Sequence, residues 1–139
     1  MSQIRVHLQL LTAFLVLTLL ITGCSRTGQT DPQEITYILE EKSVRFDEIT
    51  IPFYLIDNIR DVNPIPKAVL VEGVEDGDYK KGLFDVNGYG LIHLYVQDAN
   101  RRMLLIEHDG EQYGITPGTG ETFDQFRYDL IVAWELTYK

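Results

Sequence analysis

Cys24 is the one thiol in the chain, and its setting decides what chemistry it can do. It follows an apolar run from Leu8 to Ile21 and the small residue Gly23, so its sulfur is placed for attachment of a lipid. Without a second cysteine there is no disulfide and no cysteine metal site, and once the sulfur is acylated no cysteine nucleophile remains. Two other groups are candidates for chemistry. His93 and His108, with a nearby carboxylate, could form a metal or acid/base site, but each lies in a separate strand-like stretch. Asp76-Gly77-Asp78 offers carboxylates to Ca²⁺, yet a calcium loop needs about six to eight oxygens and a glutamate closing the loop, which is missing, so these acids read as solvated. Gly-x-Ser-x-Gly, His-Glu-x-x-His, Gly-x-x-x-x-Gly-Lys and Gly-x-Gly-x-x-Gly are all absent. The expectation is a protein that is not an enzyme, with no catalytic residues, no metal ligands and no cofactor beyond acyl chains on Cys24.

Ile21-Thr22-Gly23-Cys24 resembles the lipobox of bacterial lipoproteins, in which the cysteine receives a diacylglyceryl group and becomes the first residue of the mature chain. Residues 1–23 fit the matching export signal: Arg5 and His7 in a short basic start, the apolar run, and Gly23 at the cut. The rival reading is an uncleaved spanning helix. The uncharged stretch from Leu8 to Ser25 counts 18 residues against the roughly 20 a span needs, and the cysteine at its end favours the signal. Lipoprotein maturation adds at least two chains, and two chains hold a protein at a membrane where one does so only marginally. Ser25 is not the Asp that tends to retain such proteins at an inner membrane, so the resemblance implies the extracytoplasmic face of a membrane, the outer one being allowed in a two-membrane cell.

Charge narrows the partners. From residue 24 on there are 11 Lys+Arg (12 less Arg5) and all 21 Asp+Glu, so the mature part carries 11 − 21 = −10. Such a surface repels nucleic acid and anionic headgroups alike. Attachment must therefore come from the lipid. Residues 24–33 form a lipidated end and polar tether, and the nine residues SRTGQTDPQ reach at most roughly 30 Å at about 3.4 Å each. Residues 34–139 suffice for one domain.

The elements that position everything else read as short strands and turns. Ile35 to Leu39 and Val44 to Phe46 form a first hairpin across Glu40 to Ser43. Pro52, Pro64 and Pro66 break the next stretch into short pieces, with Asn58 to Val62 the best strand candidate. Val69 to Val71 leads into an acidic loop, Glu72 to Asp78. Asn87-Gly88 and Asp109-Gly110 each carry the chemistry of a two-residue type I′ turn. The second pairs His108 with Glu111, Ile106 with Tyr113 and Leu104 with Ile115, and puts Leu104, Ile106, Tyr113 and Ile115 on the core face. The same count at Asn87 groups Leu83, Ile92, Leu94 and Val96 and sets Phe84, Tyr89, His93 and Tyr95 opposite. That aromatic face either binds a partner or is covered by the Ile49 to Pro66 segment, and cover is the favoured reading. Thr122 to Gln125 fits a capping box, and Phe123, Phe126, Leu130, Ile131 and Trp134 make one helical stripe. Lys80-Lys81 and Arg101-Arg102 are paired bases that solvate strand starts, with contact to an acidic partner as the alternative.

Ile51-Pro52, Gly82-Leu83-Phe84, the run Gly90 to Val96, Met103 to Ile106, Tyr113 to Pro117 and Phe123 resemble, in that order, the bacterial pleckstrin-homology-like (PH-like) domain. The resemblance implies a mainly β domain, a small curled sheet or partly open barrel of about six or seven antiparallel strands with one C-terminal α-helix. Eukaryotic members of the wider pleckstrin-homology-like fold that bind phosphoinositides use a basic loop between the first strands. Here it is Glu40-Glu41-Lys42-Ser43, so headgroup binding is not carried over.

Three functions follow from this reading. The first is a membrane-anchored surface lipoprotein whose domain binds a protein or peptide, with Phe84, Tyr89, His93 and Tyr95 as candidate contacts. The second is an immunity lipoprotein that sequesters an exported toxin, and the third an enzyme or metal-site protein using His93 and His108. The sequence is silent on any small-molecule ligand.

Overall fold

The computed structural model describes residues 35–97, 102–118 and 121–137. The export segment, Cys24, the tether and Arg101 lie outside the described residues. Among the described residues no helix is long and apolar enough to cross a membrane.

The described chain is mostly β with one C-terminal helix. The first hairpin forms as expected from β1 (Tyr37–Leu39) and β2 (Ser43–Phe46), and β3 (Ile49–Pro52) joins β2 to complete a three-stranded antiparallel sheet. Pro52 is tolerated because it closes an edge strand, where no ladder donor is needed. Phe53–Leu55 make one 3₁₀ turn, with Phe53 buried. The second sheet contains β4 (Ile56–Val62), β5 (Ala68–Asp76), β6 (Tyr79–Val86), β7 (Gly90–Val96), β8 (Met103–His108) and β9 (Glu111–Ile115), in the order β4-β8-β9-β7-β6-β5. Helix α1 (Glu121–Leu136) follows.

This sheet cannot be flat. β4 and β5 are consecutive yet sit at its two edges. Six Cα steps from Val62 to Ala68 reach about 21 Å, whereas five interstrand spacings of about 4.8 Å require about 24 Å, so the sheet curls into a partly open barrel. The concave face is filled by Val62, Phe84, Val86, Ile92, Leu94, Val96, Met103 and Leu105. The convex face carries Leu104, Ile106, Tyr113 and Ile115, which pack against Val44, Phe46 and Ile51 of the first sheet and Phe123 and Leu130 of α1. Strand β8 thus feeds both cores with alternate side chains. Its run Met103-Leu104-Leu105-Ile106 is apolar without a break because both of its faces are covered.

Four expectations need correction. The curled sheet has six strands, within the expected six or seven, but a separate three-stranded sheet brings the described strands to nine, and β7 runs parallel to β9, pairing His93 with Tyr113. The stretch from Glu72 to Asp76 is not a loop but the second half of β5, held against β6 as far as Asp76↔Tyr79, and only Gly77-Asp78 turn. The β6–β7 turn has three residues, not two. Val86 pairs with Gly90, the Tyr89 N–H donates to Val86 O (2.9 Å), and positive φ falls on Gly88 and Gly90 while Asn87 is spared. That slip of one residue moves Phe84 beside Ile92 in the barrel interior and turns Leu83 towards His93. Finally, α1 begins at Glu121, so Thr122 lies inside the first turn and not at the cap. The Asp109-Gly110 hairpin has the expected register throughout, with φ of 50° and 78° at its two turn residues.

Candidate functional site

The aromatic residues singled out from the sequence are not brought together. Phe84 is fully buried inside the barrel, with the Lys80 Nζ 5.7 Å from its ring centroid. Tyr89 is half-buried at the β6–β7 turn, under the Arg60 guanidinium at 5.8 Å. His93 stacks on Tyr113, centroids 5.2 Å apart and planes at 21°. Tyr95 meets the edge of Phe46 at 5.2 Å, and its carbonyl accepts the Tyr37 hydroxyl. The cover over Tyr95 therefore comes from Tyr37 of β1 and Phe46 of β2 and not from the Ile49 to Pro66 segment, while the contact of His93 is Tyr113 of its own sheet. Burial pushes the Tyr95 phenol up, and burial with the Glu111 hydrogen bond pushes Tyr113 up further.

His108 lies elsewhere. Its Nδ1 is 3.0 Å from Leu55 O, and its strand position is two residues beyond the row that contains His93, Tyr113 and Ile106. With β9 between their strands, the two histidines are separated by roughly 12 Å along the sheet. Among the described residues no group of three or more His, Cys, Asp or Glu is placed to hold a metal ion.

The feature that stands out is backbone, not side chain. Among the described residues the other sheet margins are shorter or are engaged at their ends. At β4, Trp134 donates its indole N–H to Ile56 O (3.2 Å), and Asp61 is tied to Arg102 (2.6 Å) and Arg127 (3.4 Å). β3 ends in proline, and β1 is three residues long. β5 is nine residues long and forms the opposite margin of the barrel sheet, with Val69 (59%), Leu70 (37%), Val71 (55%) and Val74 (55%) exposed. A long apolar edge of this kind is a template for another strand.

The ladder shows which groups are free to pair. The Asn87 N–H donates to Lys67 O (2.9 Å), so Lys67 and Asn87 are a hydrogen-bonded pair, and alternation from Ala68↔Val86 turns the N–H and C=O of Ala68 and Leu70 to the open side. A bulge at Val71 then divides the edge. Before it the residues are apolar; beyond it come Glu72, Glu75 and Asp76. Lys80 engages Glu75, while Glu72 and Asp76 have no ion-pair partner among the described residues. Next to the apolar half, Lys67, Val69, Asp85, Asn87, Tyr89 and Gly90 line an open depression of about 470 Å³. Sequence reasoning marked Val69 to Val71 but lost the edge, because a strand exposed at nearly every position shows no alternation.

A model of the bacterial PH domain matches residues 34–129, which takes in both sheets and the first half of α1. No curated protein and no solved structure matches the chain. The order of the elements, the curled sheet with its closing helix and the extent of this match agree, and the chain belongs to the bacterial PH domain family.

Proposed function

We propose that this protein is a lipoprotein of the bacterial envelope, tethered through acyl chains on Cys24, whose PH-like domain binds a protein or peptide without catalysing a reaction. The observation that carries the reading is the open edge of β5, where a segment of another chain gains main-chain hydrogen bonds from Ala68 and Leu70 while Val69 and Val71 cover its side chains. The tether supports the same reading. It keeps an acidic domain close to a membrane that its surface charge does not favour, so whatever the domain holds is held there too.

Two variants test this together. In wild-type cells the protein fractionates with membranes and a partner co-purifies after crosslinking. Cys24→Ala leaves the protein soluble or unprocessed, and Val69→Lys with Val71→Lys leaves it anchored and folded but without the partner. Identical fractionation of wild type and Cys24→Ala would refute the anchor. Retention of the partner by the lysine variant would refute the edge.

A further inference from the structure

We infer that the β5 edge selects a segment that runs antiparallel to it, basic in its N-terminal half and apolar with β-branched residues in its C-terminal half. This inference rests on the strand-addition reading and adds to it the chemistry and direction of the partner.

The two halves of β5 ask for different things. Ala68, Val69, Leu70 and Val71 present apolar side chains, with the backbone groups of Ala68 and Leu70 facing outward, and these are served by an apolar extended stretch. Beyond the bulge, Glu72 and Asp76 stand without ion-pair partners among the described residues, and an apolar or acidic neighbour there would leave their charges opposed or desolvated. Lysine or arginine satisfies them. The two nearest bases of the chain are already committed, Lys80 to Glu75 and Lys81 to Asp47. Antiparallel pairing is the stronger per residue and continues the β5–β6 ladder, which fixes the order: a partner that meets Glu72 to Asp76 first and Ala68 to Val71 last must be basic first and apolar last.

The same charges argue against a second copy of this chain. Two β5 strands paired antiparallel about Glu72 would set Ala68 to Leu70 opposite the acidic end, bring the two Glu72 carboxylates together, and do so between bodies of like net charge.

The probe is a synthetic peptide of β5's own length, with lysines in its N-terminal half and alternating threonine and valine in its C-terminal half. It is titrated into the full chain purified from membranes in detergent. Its binding weakens with salt, and a peptide with the two halves exchanged binds about tenfold more weakly, the loss expected when two or three exposed ion pairs are broken. A copy N-methylated along its backbone does not bind. Leu70→Pro abolishes binding with the thermal transition retained, because that N–H faces the open edge and not the ladder. Should Leu70→Pro unfold, the N-methylated peptide carries the test of backbone pairing.

The outcomes separate the two claims. If no peptide binds the folded protein, or the N-methylated copy binds as well as its parent, strand addition itself fails. If both orders bind equally, or Glu72→Lys leaves the preference intact, the charge selection fails and strand addition stands. If the exchanged peptide binds more tightly, the direction is parallel and the inference is overturned. A dimer in sedimentation that is lost in Leu70→Pro would assign the edge to a second copy.

Discussion

Gly73 of β5 and Gly82 of β6 are cross-strand partners in backbone-to-backbone contact. A Cβ on Gly73 would lie 2.2 Å from Lys81 O, and one on Gly82 would lie 2.2 Å from Glu72 O. Their φ angles, 126° and 132°, are also closed to ordinary side chains. The pair lets the backbones of β5 and β6 approach closely just after the bulge.

Replacing either glycine by alanine therefore costs stability through strain and clash at once, about 3 kcal/mol or more. Urea unfolding of Gly82→Ala against wild type measures it. A loss below about 0.5 kcal/mol would mean that the strands are not in contact there.

The β6–β7 register makes a sharp contrast between neighbours on the two faces. Phe84→Ala empties a fully buried site in the barrel and should cost about 3–5 kcal/mol. Leu83→Ala, on the half-buried face, should cost less than half of that. The two-residue turn expected from Asn87-Gly88 makes the opposite prediction, so chemical denaturation of the two variants decides the register.

Arg102, just before β8, ties β4 to α1: its guanidinium bonds Asp61 of β4 (2.6 Å) and Asp124 of α1 (2.9 Å) and lies 4.5 Å from the Phe123 ring centroid. Asp124 also sits in the first turn of α1, where a negative charge is favoured. The site is partly exposed, so Arg102→Met should cost only about 1–2 kcal/mol. Arg102→Lys should restore less than half of it, because an ammonium cannot span both carboxylates. Full rescue by lysine in thermal melts would show that charge alone matters.

Stability should fall in alkali. The hydrogen bond and charge of Asp47 raise Lys81, burial raises Tyr95, and burial with the Glu111 hydrogen bond raises Tyr113. Each keeps its proton in the folded state to higher pH than in the unfolded chain, so its contribution is intact below the ordinary values near 10 and is lost as pH climbs towards the folded ones. Urea midpoints should be level from about pH 7 to 9 and drop above about pH 10. Tyr113→Phe should make the drop shallower; an unchanged slope would take Tyr113 out of the account.

The fold was legible where a local rule left one choice. Asp109-Gly110 admits positive φ at both turn residues, and the strands it joins follow in register to Leu104↔Ile115. The α1 stripe was equally plain, with Phe123 and Leu130 fully buried. Asn87-Gly88 misled because Gly90, two residues on, also takes positive φ and admits one more residue to the turn. The acids of β5 read as a loop because an edge strand bathed in solvent need not alternate. The candidate site was hidden for the same reason: backbone N–H and C=O groups belong to every residue type but proline, which lacks the N–H, and only the strand order shows which of them are left over.

Crosslinking in intact cells asks most directly whether another chain lies along β5. A photo-crosslinking residue is placed at Val71 or, as a control of similar exposure, at Tyr128 on α1. The account predicts a discrete membrane-associated adduct from Val71, absent from Tyr128 and lost when Leu70→Pro is added. Adducts of the same kind from both positions, or none from Val71 in a folded, membrane-bound protein, would contradict it.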